Sequence, residues 1–376
     1  MAGRLQRAIE ADIQSGLYDG AATIVAVGGE IAFDETIGYA DRPNETPLRR
    51  DNVFPVFSIS KALTAVALLQ RIERGEARLD TPVCEVIPEF GVKGKARATL
   101  GQLLCHTAGV APGFPAVPAD KQGDLDAVVA AVCDTPAVSV PGEEASYSQI
   151  MAHAVAAECV RRLDGSVLRF RDIVKRDIFV PLGMTDTCLG IRADLASRGI
   201  IPRCTDRSPG LFDPDALVAA AQDIMNPALD HEMPAAGFVS TLNDIYAFAE
   251  ALRCGGGQGE ARVLCPAMVA FATRVHTGAM VNTQWHFARE MKGWPAFPAN
   301  LGLGFFIRGE GMIPTYFGHL SSPETFGAFG AGSTNMWVDP TRDMTMVCLT
   351  TGILEETNSA ARFQRLSDIA IAEYYR

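Results

Sequence analysis

The sequence predicts an α/β sandwich: an antiparallel sheet flanked by helices, built from both termini, with a large helical insertion between them. Three observations carry this. Strand-length apolar runs occur near both ends of the 376 residues, a helical apolar stripe follows the first pair of runs, and the middle of the chain is alanine-rich and helical in pattern. Apolar residues at helical spacing to about Asp12 predict an opening helix. Stretches 21–27 and 30–38, separated by Gly28 and Gly29, predict a hairpin. In 58–74, Ile59, Ala62, Leu63, Val66, Leu69 and Ile72 form one stripe that ends near Gly75, so a buried helix follows. From about 80 to 265 the helical segments include 125–132, 150–163 and 242–252. After residue 300 the pattern returns to strands at 302–308, 334–338 and 344–350, and closes with a helix over 359–375. The expected division is residues 1–80 plus 265–376 as the α/β domain and 81–264 as the mainly helical one.

Composition excludes several functions. Lys and Arg number 33 against 44 Asp and Glu, a net charge of −11 with no basic footprint, so nucleic acid is not an expected partner. No window approaches the roughly 18 uninterrupted apolar residues of a membrane span, so no membrane partner is expected either. The first 14 residues alternate charge with aliphatics and lack the apolar region of a secretory signal, which reads as mature protein. Nine scattered cysteines without a CxxC pair predict reduced thiols and a cytoplasmic setting, and six scattered histidines without HExxH predict no metal. The glycines from Gly255 to Gly259 fit neither a dinucleotide nor a phosphate-loop pattern, so no cofactor is expected.

The sharpest local feature is Ser58-Ile59-Ser60-Lys61 at the start of the buried helix. Positions i and i+3 share a helix face, so the lysine can reach the serine hydroxyl. Only six lysines occur in the chain, and burying an unpaired ammonium is costly, so a lysine on this apolar helix needs a role or a partner. An unactivated serine is inert, and an adjacent base makes it a nucleophile.

Other segments extend the pattern in order: Phe54 to Lys61 (FPVFSISK), Leu79-Asp80-Thr81-Pro82-Val83, Leu103 to Gly109 (LLCHTAG), Pro141-Gly142 through Ser146-Tyr147-Ser148-Gln149, Asp177 to Met184 (DIFVPLGM), and Ala236 to Thr241 with Asp244. Together they resemble the serine β-lactamase and penicillin-binding-protein superfamily, and within it the class C β-lactamase-like group that includes family VIII esterases and D-aminopeptidases. The resemblance implies a β-lactamase/transpeptidase-like fold. It also implies that Ser58 is the acylated nucleophile, that Lys61 and Tyr147 form the acid/base pair, and that His106 is structural. Which of Lys61 and Tyr147 holds the proton stays open.

Two positions depart from the superfamily's pattern. Gln149 stands where asparagine is usual. On the strand that normally carries KTG, HxG or WGG, alignment on Trp337-Val338-Asp339-Pro340 places Ala328-Phe329-Gly330, with no cation at the first position and His319 as the alternative occupant. The implied oxyanion hole is the backbone N–H of Ser58 with that of Ala331. Gln149, Ala328, Phe329 and Gly330 are the expected substrate contacts, and the aromatics of 282–306, Trp285 and Trp294 among them, could wall an acyl pocket. The expected function is hydrolysis of a small-molecule carboxylic ester through a Ser58 acyl-enzyme. The alternatives are acyl transfer to an alcohol or amine, cleavage of a peptide or β-lactam amide, and a non-catalytic binding role.

Overall fold

The computed structural model describes residues 2–376. Helix α1 (Arg4–Gln14) leads into β1 (Gly20–Val27), β2 (Glu30–Asp41) and the short β3 (Thr46–Pro47). Helix α2 (Ser60–Glu73) follows, then α3 (Leu125–Asp134), α4 (Met151–Asp164) and α5 (Leu242–Arg253). The chain returns to the sheet through β4 (Phe306–Ile307), β5 (Phe326–Gly330), β6 (Thr334–Asp339) and β7 (Met344–Thr350), and ends in α6 (Glu356–Tyr374). The seven strands lie in the order β4-β5-β6-β7-β1-β2-β3, every neighbouring pair antiparallel. The two ends of the chain meet at β1 and β7, paired from Ala21 opposite Thr350 to Val27 opposite Met344.

Side-chain alternation sorts this sheet into two buried faces. Ala22, Ile24, Met336, Val338, Val347 and Leu349 join the core that contains α2, α4 and α5. Ala21, Val25, Trp337, Met346 and Cys348 face the layer made by α1 and α6. Because both faces are covered, β6 and β7 are buried at every residue, which explains apolar runs in place of a polar alternation.

Helix α2 is buried continuously from Ser60 to Arg71. Its alanines at 62, 65 and 67 are fully buried, and so are Ala156 and Ala157 of α4, the helix it packs against. Small side chains on both partners let the axes approach closely. A second small sheet ties α2 to the helical region: Phe54–Pro55 pairs with Phe238–Ser240, which also pairs with Cys188–Leu189. It sets the backbone just before Phe238 over the first turn of α2.

The strand expected over 302–308 is reduced to Phe306–Ile307. Gly304 has φ +88 there, and a Cβ on it would lie 2.1 Å from the Cβ of Ala65, so the chain turns tightly onto α2 before the strand begins. Among the described residues, no helix is long and apolar enough to cross a membrane.

Candidate active site

Ser58 lies in a 3-10 turn, Phe57–Ile59, that runs directly into α2. Phe57, immediately before it, has φ +44, a conformation that a residue with a Cβ adopts only under constraint from its surroundings. The constraint comes from β5. A Cβ at Gly330 would lie 2.4 Å from the Val56 carbonyl oxygen and 2.9 Å from the Phe57 Cβ, so glycine is what allows the strand to press against the turn. The Ser58 side chain is left partly exposed at the floor of a cleft.

One helical turn on, Lys61 is 3% exposed. Its ammonium nitrogen donates to Ser58 Oγ at 2.8 Å and to the Ala235 carbonyl at 3.0 Å. Burial without a carboxylate partner pulls its pKa from the usual lysine value down to about 7. The Tyr147 ring centroid lies 5.0 Å from Lys61 Nζ, and Tyr147 lines the same cleft as Ser58. Burial holds the phenol well above its ordinary range, an effect that the neighbouring Ser58 side chain partly offsets. The site therefore places a lysine poised to be neutral beside a tyrosine that keeps its proton.

His106 packs against Tyr147 with ring centroids 4.5 Å apart and the planes tilted by 31°, and His153 packs against His106 at 5.1 Å. His106 Nδ1 accepts the Ser148 N–H at 3.0 Å, so this ring nitrogen is used to hold the backbone next to Tyr147. Burial, and then the charge of Lys61, push His106 down to about 3, which keeps the ring neutral. Gln149 is also committed: its side-chain oxygen accepts the Gly113 N–H, which ties the loop carrying Phe114 to the rim of the cleft.

On the strand side Phe329, Ala331 and Gly332 line the cleft. Among the described residues no acceptor takes the Ala331 N–H, and Ser58 stands in a first helical turn, where backbone N–H groups have no intrahelical partner. Arg362 on α6 secures the hairpin that carries Ala331. Its guanidinium donates to the Gly332 carbonyl at 3.1 Å, Thr350 Oγ1 at 3.1 Å and Ser359 Oγ at 3.3 Å, and lies over the Phe363 ring.

Four expected substrate contacts need correction. Gly330 is buried against Val56 and Phe57 and does not line the cleft. Ala328 is 3% exposed and turned into the core of α2, so it does not line the cleft; by alternation its neighbour Phe329 does. Trp285 belongs to the core layer under α6, where it supports Tyr316 from behind at 6.4 Å. Tyr316 stacks in turn on Phe329, with centroids 3.6 Å apart. Trp294 lines a different groove, together with His319, whose Nε2 meets the Ile313 carbonyl; His319 is thereby removed as the alternative to Ala328.

The cleft encloses about 60 Å³, and its walls include Phe57, Phe114, Phe212, Leu217 and Met233 as well as Phe329. Phe114, Phe212, Tyr316 and the Ala235 carbonyl were not reached from the sequence. Of these only Ala235 had a signal, since it directly precedes the matched segment at 236.

A family model described as Beta-lactamase matches residues 5–370. The chain is 26% identical over 348 residues to the esterase/beta-lactamase LipL of Mycobacterium tuberculosis, covering 86% of this chain and 75% of that one. It is 31% identical over 204 residues to the esterase EstB of Burkholderia gladioli, about half of each chain (50% and 51%). Among solved structures, a penicillin-binding-protein homologue from Caulobacter crescentus superimposes with a TM-score of 0.80 at 25% identity, covering 98% of this chain and 96% of that one. A family VIII carboxylesterase does so with a TM-score of 0.79 at 21% identity, covering 96% and 95%, a likeness of fold. With its sheet, its Ser58–Lys61 turn and a family match over nearly its whole length, the chain belongs to the beta-lactamase family.

Proposed function

We propose that the protein is a serine esterase that cleaves small-molecule carboxylic esters through an acyl-enzyme on Ser58. The observation that carries this is the 2.8 Å contact between Lys61 Nζ and Ser58 Oγ, made by a lysine whose burial favours its neutral form. In the forward step neutral Lys61 takes the Ser58 proton as Oγ attacks the ester carbonyl. The negative oxygen that develops faces the backbone N–H groups of Ser58 and Ala331, where loss of one such donor costs about 100- to 1000-fold. Tyr147, which keeps its phenolic proton, gives it to the departing alkoxide and is reprotonated from the Lys61 ammonium. Water attacks the acyl-enzyme through the same pair in reverse, and free acid leaves.

The walls support a preferred substrate class. A narrow and largely apolar cleft, with aromatic side chains among its walls, favours a compact apolar group. Among the described residues its lining contains no lysine or arginine, so the carboxylate of a penicillin would find no cationic partner there. The same apolar lining favours a second acceptor: an alcohol that partitions into the cleft competes with water for the acyl group, giving acyl transfer. A cytoplasmic setting is our reading of its location, supported by nine cysteines that are all unpaired. The test is turnover of p-nitrophenyl esters of graded acyl length, with and without an added alcohol, by the native protein and by Ser58→Ala. Esterase action predicts nitrophenol release that requires Ser58 and falls as the acyl chain outgrows the cleft. Release that is independent of Ser58 would overturn the proposal.

A further inference from the structure

The cleft beside Ser58 contains one carboxyl group, and nothing in the proposed reaction uses it. Glu356, the first residue of α6, is 7% exposed and lines the cleft with Phe212, Tyr316 and Phe329. Its Oε2 accepts the Leu211 N–H at 3.2 Å. Its own backbone N–H also bonds the carboxyl, and among the described residues no side chain donates to it, although the residue lines the cleft. A carboxyl in such a place costs free energy unless something compensates for it.

Helix capping does not explain it. Glu355 already accepts the N–H groups of Thr357 and Asn358 at the start of α6. A glutamine would satisfy Leu211 equally well. The terminal guanidinium nitrogens of Arg362 on the same helix bond Gly332, Thr350 and Ser359 instead, and among the described residues no lysine or arginine lines the cleft. Burial without a cation pushes the Glu356 carboxyl up to about 7. A hydroxyl on the substrate would supply a single hydrogen bond, whereas an ammonium supplies several and the missing charge. Phe212 and Phe329 line the same cleft as Glu356 and shield the carboxyl from bulk water.

Resting on the acyl-enzyme reading above, we propose that Glu356 forms a subsite for a protonated amine on the substrate, so that the preferred ester carries an alkylammonium group. The test is equilibrium binding, which needs no turnover. Propyl- to hexylammonium ions and the matching alkanols are titrated calorimetrically into the native protein, Ser58→Ala, Glu356→Gln and Glu356→Asp at pH 8, where the carboxylate and the ammonium are both charged. The best ammonium is expected to bind about tenfold or more tightly than its alkanol to the native protein and to Ser58→Ala. Glu356→Gln should abolish that preference and Glu356→Asp retain part of it; if Glu356→Gln melts early, Glu356→Asp and competition by added Na⁺ in the native protein carry the comparison. Equal binding of ammonium and alkanol, or a preference that survives Glu356→Gln, overturns the proposal. Failure of the acyl-enzyme reading would appear separately, as absent turnover with the ammonium preference intact.

Discussion

Lys61 holds Ser58 Oγ at 2.8 Å with the same nitrogen that reaches the Ala235 carbonyl, so a single buried amine joins the Ser58 turn to a backbone segment 174 residues further along the chain. Neither neighbour is an anion. Two neutral acceptors orient the lysine but supply no counter-charge, so burial lowers its pKa, which is the condition for a base that works near neutrality.

The direction of the pH dependence follows from this. In the proposed mechanism Lys61 acts when neutral, and its pKa is lowered to about 7, so kcat/KM should rise with pH through a midpoint about 7. Tyr147 is raised, so the rate should stay level into the alkaline range. Initial rates with a neutral p-nitrophenyl ester, corrected for spontaneous hydrolysis, check both limbs. A rate that falls as pH rises through 7 would show that protonated Lys61 is the working form.

Tyr147→Phe removes the phenolic proton and leaves the ring packed against His106. The expected outcome is a kcat lower by about 100- to 10,000-fold, with KM and melting temperature close to native. Steady-state kinetics alongside thermal melting separate this from a folding defect.

Gly330→Ala forces a methyl group against the Val56 carbonyl and the Phe57 Cβ. It should cost about 1–3 kcal/mol of stability and, by shifting the turn that presents Ser58, lower kcat/KM at least about tenfold. Denaturant unfolding and ester kinetics on the same preparation read both effects. Native kinetics in a folded Gly330→Ala protein would mean that β5 does not set the position of Ser58.

Arg362→Met leaves Gly332 and Thr350 without their side-chain donor. Stability should fall by about 1–3 kcal/mol. Because Gly332 follows Ala331, kcat should fall while KM stays nearly constant, and Arg362→Lys should recover only part of it, since lysine cannot donate in three directions from a rigid plane. Equal loss in kcat and 1/KM would assign Arg362 to general packing.

What the sequence reveals and what it hides divides along chain separation. Ser58 and Lys61 are one turn apart, so helical spacing alone brings them together. The central hairpin and β6 and β7 are legible because their apolar runs have strand length. The face that a strand residue chooses is not legible when both faces are covered. Strand β5 is buried at all five positions, so no polar alternation tells Ala328 from Phe329. Trp285 and Trp294 pack where area is to be buried, and the sequence carries no sign of which surface that is. Glu356 is hidden for a further reason: a glutamate at the start of a helix is an ordinary feature, and only the fold brings it beside Leu211 and into the cleft.

The most direct measurement is the intact mass of the protein quenched during turnover of a p-nitrophenyl ester, with peptide mapping of the adduct, for the native chain and for Ser58→Ala. An acyl group on Ser58 that forms and decays at rates consistent with kcat, and is absent in Ser58→Ala, is the predicted result. Turnover with no adduct on Ser58, or an adduct on another residue, would contradict an acyl-enzyme mechanism built on Ser58 and Lys61.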